Sequence, residues 1–245
     1  MTALPTRKDE SWRYGDLDAL ERVWPLPVPE NVVVPAGGRI ERAIVQDSPE
    51  DETDVRQLAI SLGKGASAQL DILNVGGGYG RIEIDATLHE GADFTLNAVQ
   101  IGGGRQVLET VTRVRHAEPG ATSRQTVRTV LAGQATGTYL GKVMVDRDAQ
   151  KTDAEQSVRA MLLDRTATAN AKPELEIYAD DVKCAHGAAV GELDAEGLFY
   201  LESRGLPPSE ARKLMLQAFV AGAFDGSERE GELQAAAMAR LGAIA

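Results

Sequence analysis

The sequence is poor in the features on which nucleic-acid binding depends. Aromatic residues make up only 4% of the 245 residues, which leaves few surfaces on which bases could stack. The formal net charge is −11 at pH 7, and a charge of this sign repels a phosphate backbone. Both properties argue against nucleic acid as a partner.

Cysteine and long apolar runs are also scarce. Cys184 is the single cysteine and has no partner for an internal disulfide, which is typical of a reducing compartment. Met1–Glu10 carries charges and no long apolar run, and no later stretch is apolar over the length of a bilayer. We therefore expect a soluble, cytoplasmic protein without a membrane partner.

The common catalytic motifs are missing. The sequence has no Gly-x-x-x-x-Gly-Lys-Ser/Thr, no Gly-x-Ser-x-Gly and no His-Glu-x-x-His. The glycine runs at 76–80 and 102–104 do not complete a Gly-x-Gly-x-x-Gly before a helical pattern, so they are better read as turns. ATP binding through a P-loop and conventional hydrolase chemistry are poorly supported.

Alternation of apolar and polar residues predicts β-strands from about 32 to 190. The clearest run is Ile82–Leu88, in which one face is apolar and the other polar. The same pattern recurs at 70–72, 94–98, 143–145 and 175–177. Glycine, asparagine and aspartate between these runs mark turns.

A weak repeat accompanies the strands. Gly65-Ala66, Gly91-Ala92 and Gly120-Ala121 begin 26 and 29 residues apart, Asp148-Ala149 continues the series, and Gly187-Ala188 follows after a longer gap. This period favours a β-solenoid whose coils each contain two or three strands. The alternative is a β-sandwich with strands at regular spacing.

The two ends of the chain have other patterns. Three prolines at every second position of the 24–29 segment favour extended backbone, after a short helix near 16–23. Helices are predicted over 194–203, from an N-cap at Ser209 to about Ala221, and over 232–241. The second helix shows an apolar stripe that we expect to face the core: Ala211, Leu214, Met215, Ala218 and Phe219. We thus divide the chain into an N-terminal segment (1–34), a β-solenoid core (35–192) and a C-terminal helical subdomain (193–245).

The pair Cys184 and His186 carries the most suggestive chemistry. Residues two apart on a strand face the same side, so a thiolate and an imidazole could bind one soft or borderline metal ion. Two ligands are too few for a stable site, unless a second protein supplies the others. The alternative is structural, with a buried cysteine and a hydrogen-bonded histidine.

Four segments resemble the SufB/SufD family of iron–sulfur cluster assembly proteins. The segments are 9–14 (DESWRY), 149–154 (AQKTDA), 173–188 (PELEIYADDVKCAHGA) and 197–206 (GLFYLESRGL). Within that family, one cysteine and the general size favour the SufD type, since SufB proteins are longer and carry more cysteines. The long helical region that commonly precedes the Trp element is almost missing here.

This resemblance implies a right-handed parallel β-helix and a SufBCD-type complex. A SufB-like paralogue would pair through the β-helices, and the ABC-type ATPase SufC would bind the C-terminal helices. Contacts with SufC are expected from Phe199, Tyr200, Arg204 and Leu206. Iron or a nascent cluster would bind transiently at Cys184 and His186, shared with the partner, and none would be held tightly by the isolated chain. The family also implies persulfide as the sulfur source and an association with reduced flavin.

We therefore predict a non-catalytic scaffold rather than an enzyme. One alternative is a β-helix enzyme acting on a carbohydrate, although the charge of −11 disfavours acidic polysaccharides. Another is a purely structural homodimer. A hexapeptide-repeat acyltransferase would show a much shorter repeat.

Overall fold

The computed structural model describes residues 3–244, and the largest part of the regular structure among them is a set of twelve β-strands. The odd-numbered strands are β1 (Glu30–Val34), β3 (Thr53–Leu62), β5 (Tyr79–Leu88), β7 (Val107–His116), β9 (Thr136–Val145) and β11 (Thr168–Ile177). The even-numbered strands are β2 (Arg39–Gln46), β4 (Ser67–Asn74), β6 (Asp93–Gly102), β8 (Thr122–Leu131), β10 (Asp153–Leu162) and β12 (Lys183–Glu192).

Odd and even strands form two separate six-stranded sheets, in the orders β1-β3-β5-β7-β9-β11 and β12-β10-β8-β6-β4-β2. All pairings within each sheet are parallel. Each odd strand and the even strand after it thus form one coil, and we number these coils one to six. This arrangement confirms the predicted mainly β fold with a parallel β-helix core, with two strands per coil.

The predicted repeat corresponds to the turns between odd and even strands. Gly65, Gly91 and Gly120 have φ of 64°, 64° and 74°, a left-handed conformation that glycine adopts without steric cost. The alanine after each glycine is buried within the coil. The inclusion of Gly187-Ala188 in this series was wrong, because both residues lie inside β12. In coil six the turn is formed by residues 178–182 instead.

Inward-facing side chains stack from coil to coil and form the main core. On β5, for example, Ile82, Ile84, Ala86 and Leu88 are buried while Asp85 between them is exposed. The pairing aligns Ile84 with Leu58 of the preceding coil, so like side chains lie above one another. The alternation in the sequence therefore correctly predicted which face of this strand is inside.

The N-terminal segment covers the outer face of the odd-numbered sheet. It contains a short 3-10 helix (Glu10–Trp12) and the helix α1 (Leu17–Glu21), which Asp16 caps as a hydrogen-bond acceptor. The Trp12 ring lies 3.8 Å from the guanidinium carbon of the fully buried Arg81. Arg81 in turn forms an ion pair of 2.9 Å with the buried Glu109, so its charge is compensated.

Three helices follow the solenoid: α2 (Ala195–Ser203), α3 (Pro208–Ala221) and α4 (Glu230–Ile244). α3 and α4 pack on the outer face of the even-numbered sheet, where Leu216, Val220 and Phe224 meet side chains such as Val99 and Ile101. No helix within residues 3–244 is long and apolar enough to span a membrane.

Two details of the predicted second helix were wrong. Its buried residues are Ala211, Leu216 and Val220, whereas Leu214 of the predicted stripe is 45% exposed. The N-cap also lies two residues earlier than predicted, at Pro207, so the helix begins at Pro208 and Ser209 lies inside the first turn. Proline fits this first position because its missing N–H needs no partner there.

Candidate functional site

Cys184 and His186 lie on β12, the last strand of the even-numbered sheet. Within the described part of the chain, β12 pairs only with β10, and its neighbour β11 pairs only with β9. Coil six therefore presents two ten-residue edge strands with free backbone hydrogen-bonding groups. The two predicted ligands lie at this open end of the solenoid.

Both side chains point toward the interior side of the coil. Cys184 is in register with the buried Ala154, and His186 is in register with the buried Gln156. Cys184 is half-buried and packs against the main core, whereas His186 is exposed. The strand geometry thus brings the thiol and the imidazole to one face, as the spacing predicts.

The environment of Cys184 favours its neutral form. Burial raises the pKa of the Cys184 thiol, and the negative charge of Asp153 adds to this effect. A hydrogen bond with the backbone of Ala154 opposes it only in part. A metal ion that binds here has to displace the thiol proton, so binding would release a proton.

The chain offers an incomplete ligand set. Among residues 3–244 there is no group of three or more His, Cys, Asp or Glu side chains that could hold a metal ion. The nearby Asp181 is engaged with Lys151. His89 contacts Glu118 in a distant turn, and His116 is buried in the solenoid interior. Cys184 and His186 could therefore supply two ligands of a site completed by another molecule.

Apolar side chains surround the open end. Ile177, Tyr178 and Val190 are 40%, 61% and 49% exposed, although all three belong to the last coil or its turn. Leu175 is half-buried and packs on the core from the same coil. Exposed apolar side chains beside unpaired strand edges are typical of a surface that another protein covers.

The residues predicted to contact SufC lie around α2. Phe199 and Tyr200 are 73% and 56% exposed, and α2 has no buried residue at all. Arg204 caps the C-terminal end of α2, and its guanidinium lies 5.2 Å from the Tyr200 ring centre. Leu206 follows in the loop and is half-buried. The structure thus places the four residues along one short helix and the loop after it.

A groove adjoins these residues between α2, α3 and α4. Its volume is about 670 Å³, and its lining includes Leu198 and Glu202 of α2, Arg212 and Lys213 of α3, and Leu241 of α4. The groove combines an apolar floor with charges of both signs at the rim, a composition that is common in protein interfaces.

A buried polar network beneath the open end was missed by the sequence reasoning. Thr112 and Tyr139 both donate hydrogen bonds to Oε1 of Gln125, over 2.8 Å and 3.1 Å. Gln156 Nε2 donates to the Tyr139 hydroxyl over 3.1 Å. The signal that could have revealed it is a polar residue at an inward position of each strand, where the alternation calls for an apolar one.

Comparison with known proteins identifies the family. Residues 30–219 match the SufBD core domain of SUF system FeS cluster assembly. A SufBD family iron–sulfur cluster assembly protein of Synechocystis is 36% identical over 176 residues, which are 71% of this chain and 39% of that protein. The SufD protein of Escherichia coli is 35% identical over 153 residues, 62% of this chain and 36% of that protein. The chloroplastic protein ABCI7 of Arabidopsis thaliana is 32% identical over 200 residues, 80% of this chain and 42% of that protein.

Because the matched domain spans most of the chain, the chain belongs to the SufB/SufD family. Within the family it is of the SufD type, in agreement with the resemblance found in its sequence. The chain spans about two fifths of the length of the curated relatives it matches.

Proposed function

We propose that this chain is a non-catalytic scaffold subunit of a SufBCD-type complex that assembles iron–sulfur clusters. The observation that carries the proposal is the position of Cys184 and His186 on the edge strand of the open coil. Membership of the SufB/SufD family supports the link to iron–sulfur cluster assembly. The iron or nascent cluster is the cargo of this complex and not a resident cofactor of the chain.

Coil six is the surface proposed to pair with a SufB-like paralogue. A second parallel solenoid can add its own last strands to β11 and β12, which extends both sheets across the interface by backbone hydrogen bonds. Such pairing also covers Ile177, Tyr178 and Val190, whose exposure otherwise leaves apolar surface in water. The interface would thereby bury the space in front of Cys184 and His186.

Cys184 and His186 would contribute two ligands to iron at that interface. A thiolate and a neutral imidazole suit iron and iron–sulfur clusters, and the partner would supply the remaining ligands. Burial of the site between two proteins would exclude water and protect a nascent cluster. Neither protein alone would then hold the cargo tightly, which is useful for a cluster that must be passed on.

The α2 region is proposed to bind the ATPase SufC. Phe199 and Tyr200 provide large exposed apolar surfaces, and Arg204 stacked on Tyr200 adds a fixed positive charge. Aromatic residues and arginine dominate the binding energy of many protein interfaces. ATP binding could then change the arrangement of the subunits through α2, if SufC prefers one arrangement.

Co-purification tests the proposal directly. We would co-express the chain with SufB-like and SufC-like proteins of the same source, purify through this chain, and measure subunit composition and iron content. The expected result is a complex that contains both partners. Recovery of this chain alone, folded and dimeric, would instead favour a structural homodimer that uses the same strand edges.

Matched variants test the proposed iron ligands and the proposed SufC contacts separately. Cys184→Ser with His186→Ala should reduce the iron content of the complex without releasing the partners, whereas His89→Ala, a half-buried histidine in a distant turn, should leave the iron content unchanged. Phe199→Ala with Tyr200→Ala should release SufC and retain the SufB-like partner. The exposed Val33 at the opposite end of the solenoid serves as the control, as Val33→Ala should retain both partners. Undiminished iron content in the first variant would disprove the ligand role.

A further inference from the structure

The buried network below the open end leaves one atom of a side-chain amide without a partner. The Tyr139 hydroxyl lies 3.1 Å from Gln125 Oε1 and 3.0 Å from the Thr112 hydroxyl. Gln156 Nε2 donates to the Tyr139 hydroxyl over 3.1 Å. The carbonyl oxygen of Gln156, Oε1, is turned away from Tyr139.

The described part of the chain leaves this oxygen without a hydrogen-bond partner. Gln156 is only 1% exposed, and within residues 3–244 its Oε1 is buried and accepts no hydrogen bond. An unsatisfied buried acceptor destabilises the folded state, because it has lost its hydrogen bonds to water and gained none in return. Coils four and five, which hold the rest of the network, offer it no donor.

Coil six supplies one suitable donor. The inward positions of β11 around this level are Ala171, Pro173 and Leu175, whose side chains have no hydrogen to donate. On β12, Cys184 is in register with Ala154 and not with Gln156. His186 is the residue in register with Gln156 on the neighbouring strand, and its ring carries N–H groups.

We propose that Gln156 is a positioning residue for His186. In the described part of the structure Gln156 Oε1 has no partner and the His186 side chain is exposed, and the proposed bond forms when the ring turns so that Nδ1–H, on the ring nitrogen nearer the backbone, donates to Oε1. Adjacent strands are about 4.8 Å apart, a separation that two inward side chains in register can bridge. The bond holds the ring in one tautomer and directs the unprotonated Nε2 toward the open end of the solenoid.

The chemical consequence concerns iron binding. A histidine that binds a metal commonly donates its second ring nitrogen to a fixed acceptor, and loss of that acceptor typically weakens metal binding 10- to 100-fold. Here the acceptor would be the uncharged amide of Gln156, which is held in place through Tyr139 and Gln125. This consequence rests on the proposed function, whereas the hydrogen bond itself does not.

Imidazole NMR of the 245-residue chain tests the bond. The chain has three histidines, so ¹⁵N-histidine labelling gives three ring systems, and His186→Ala identifies the one of interest. At a pH where the ring is neutral, the wild type should show His186 as a single Nδ1–H tautomer. Gln156→Met should convert it to the averaged mixture of a free imidazole, and Gln156→Glu, which keeps an acceptor, should retain the single tautomer.

Gln100→Met is the matched control for lost burial and lost hydrogen bonds. Gln100 is also fully buried, donates from Nε2 over 3.2 Å to Thr129 and has an unpartnered Oε1, but it lies on β6 in coil three. This variant should leave the His186 tautomer unchanged. An averaged tautomer in the wild type, or a fixed Nδ1–H tautomer in Gln156→Met, would overturn the proposal.

Iron measurements distinguish the positioning role of Gln156 from the proposed role of His186 as an iron ligand. In the assembled complex, Gln156→Met should weaken iron binding 10- to 100-fold, and Gln100→Met should not. If His186→Ala leaves iron content intact while the tautomer depends on Gln156, the ligand role of His186 fails and the hydrogen bond stands. An effect of Gln156→Met on iron without any effect on the tautomer would overturn the positioning role.

Discussion

The interior of coils two and three and the interior of coils four and five are built from different side chains. Coils two and three are filled mainly by aliphatic and aromatic residues: Leu58, Ile60, Leu70, Ile72, Ile82, Ile84, Phe94 and Leu96. Coils four and five place polar groups at more of the corresponding inward positions: Thr112, His116, Ser123, Gln125, Tyr139 and Gln156. On β4 and β6 of coils two and three, the buried polar residues are Asp71, Asn74 and Gln100. The backbone hardly differs, since the parallel register continues through both regions.

This difference indicates that the polar interior serves something other than stability. Apolar side chains of similar size would remove the desolvation cost of groups such as Gln156 Oε1, which has no hydrogen-bond partner among the described residues. The polar region lies directly below the coil that carries Cys184 and His186. Polar groups retained at such a place are consistent with support of a site, and the comparison can be tested region by region.

The largest effect is expected in the aliphatic region. Phe94→Ala removes a fully buried ring from β6 and leaves a cavity, which should lower the free energy of unfolding by about 3–5 kcal/mol. Urea denaturation measures the loss. Val28→Ala, at a 91% exposed position, is the control and should change the stability by less than about 0.5 kcal/mol. Similar values for both variants would contradict this view of the core.

The second effect is a pH dependence that belongs to the polar region. Burial lowers the pKa of His116 to about 4 from an ordinary 6.5, so the folded protein holds this ring neutral. Between these pH values the unfolded chain binds more protons than the folded one. The contribution of the neutral His116 ring to the free energy of unfolding is therefore fully present above about pH 6.5. It is lost as the pH falls toward 4, which lowers the free energy of unfolding by about 3 kcal/mol.

Replacement of the ring measures this contribution. His116→Gln should show a smaller loss of unfolding free energy between pH 6.5 and 4 than the wild type, since carboxylates titrate in both proteins. Equal pH profiles of wild type and variant would show that His116 does not remain neutral in the fold.

A smaller effect is expected from a single hydroxyl of the network. Tyr139→Phe keeps the ring but removes the group that joins Gln125 to Gln156, which should cost about 1–3 kcal/mol in urea denaturation. Tyr178→Phe is the matched control, because the Tyr178 hydroxyl bonds Glu176 at the surface, and it should cost less than about 0.5 kcal/mol. No difference between the two variants would mean that the network is not coupled through Tyr139.

The smallest effect on stability is expected at the open end itself. Cys184→Ala should change the free energy of unfolding by less than about 1 kcal/mol, since the side chain is only half-buried. If Cys184 acts in cluster assembly, the iron content of the complex should fall much more than the stability does. A loss of stability as large as that of Tyr139→Phe would favour the structural reading of this cysteine.

Local rules in the sequence predicted many features of the fold correctly. Strict alternation in 82–88 predicted which face of β5 is buried, and the helix predicted over 194–203 corresponds to α2, whose N-cap is Asp194. The apolar stripe of α3 was predicted poorly, because Leu214 would be buried by period alone. Which side of a helix is covered depends on the sheet it meets, and no local pattern contains that information.

The sequence by itself determined the strands, the turn glycines, the single cysteine and its spacing to His186, because these depend on residues a few positions apart. Only the tertiary structure decided that β12 is an edge strand and that Gln156 lies in register with a histidine 30 residues further along the chain. The length of each coil sets this alignment, and the coils differ in length by a few residues. In a solenoid, the residue that lies beside a given side chain depends on the combined length of the strands and turns that separate the two. This length per coil is known only from the folded structure.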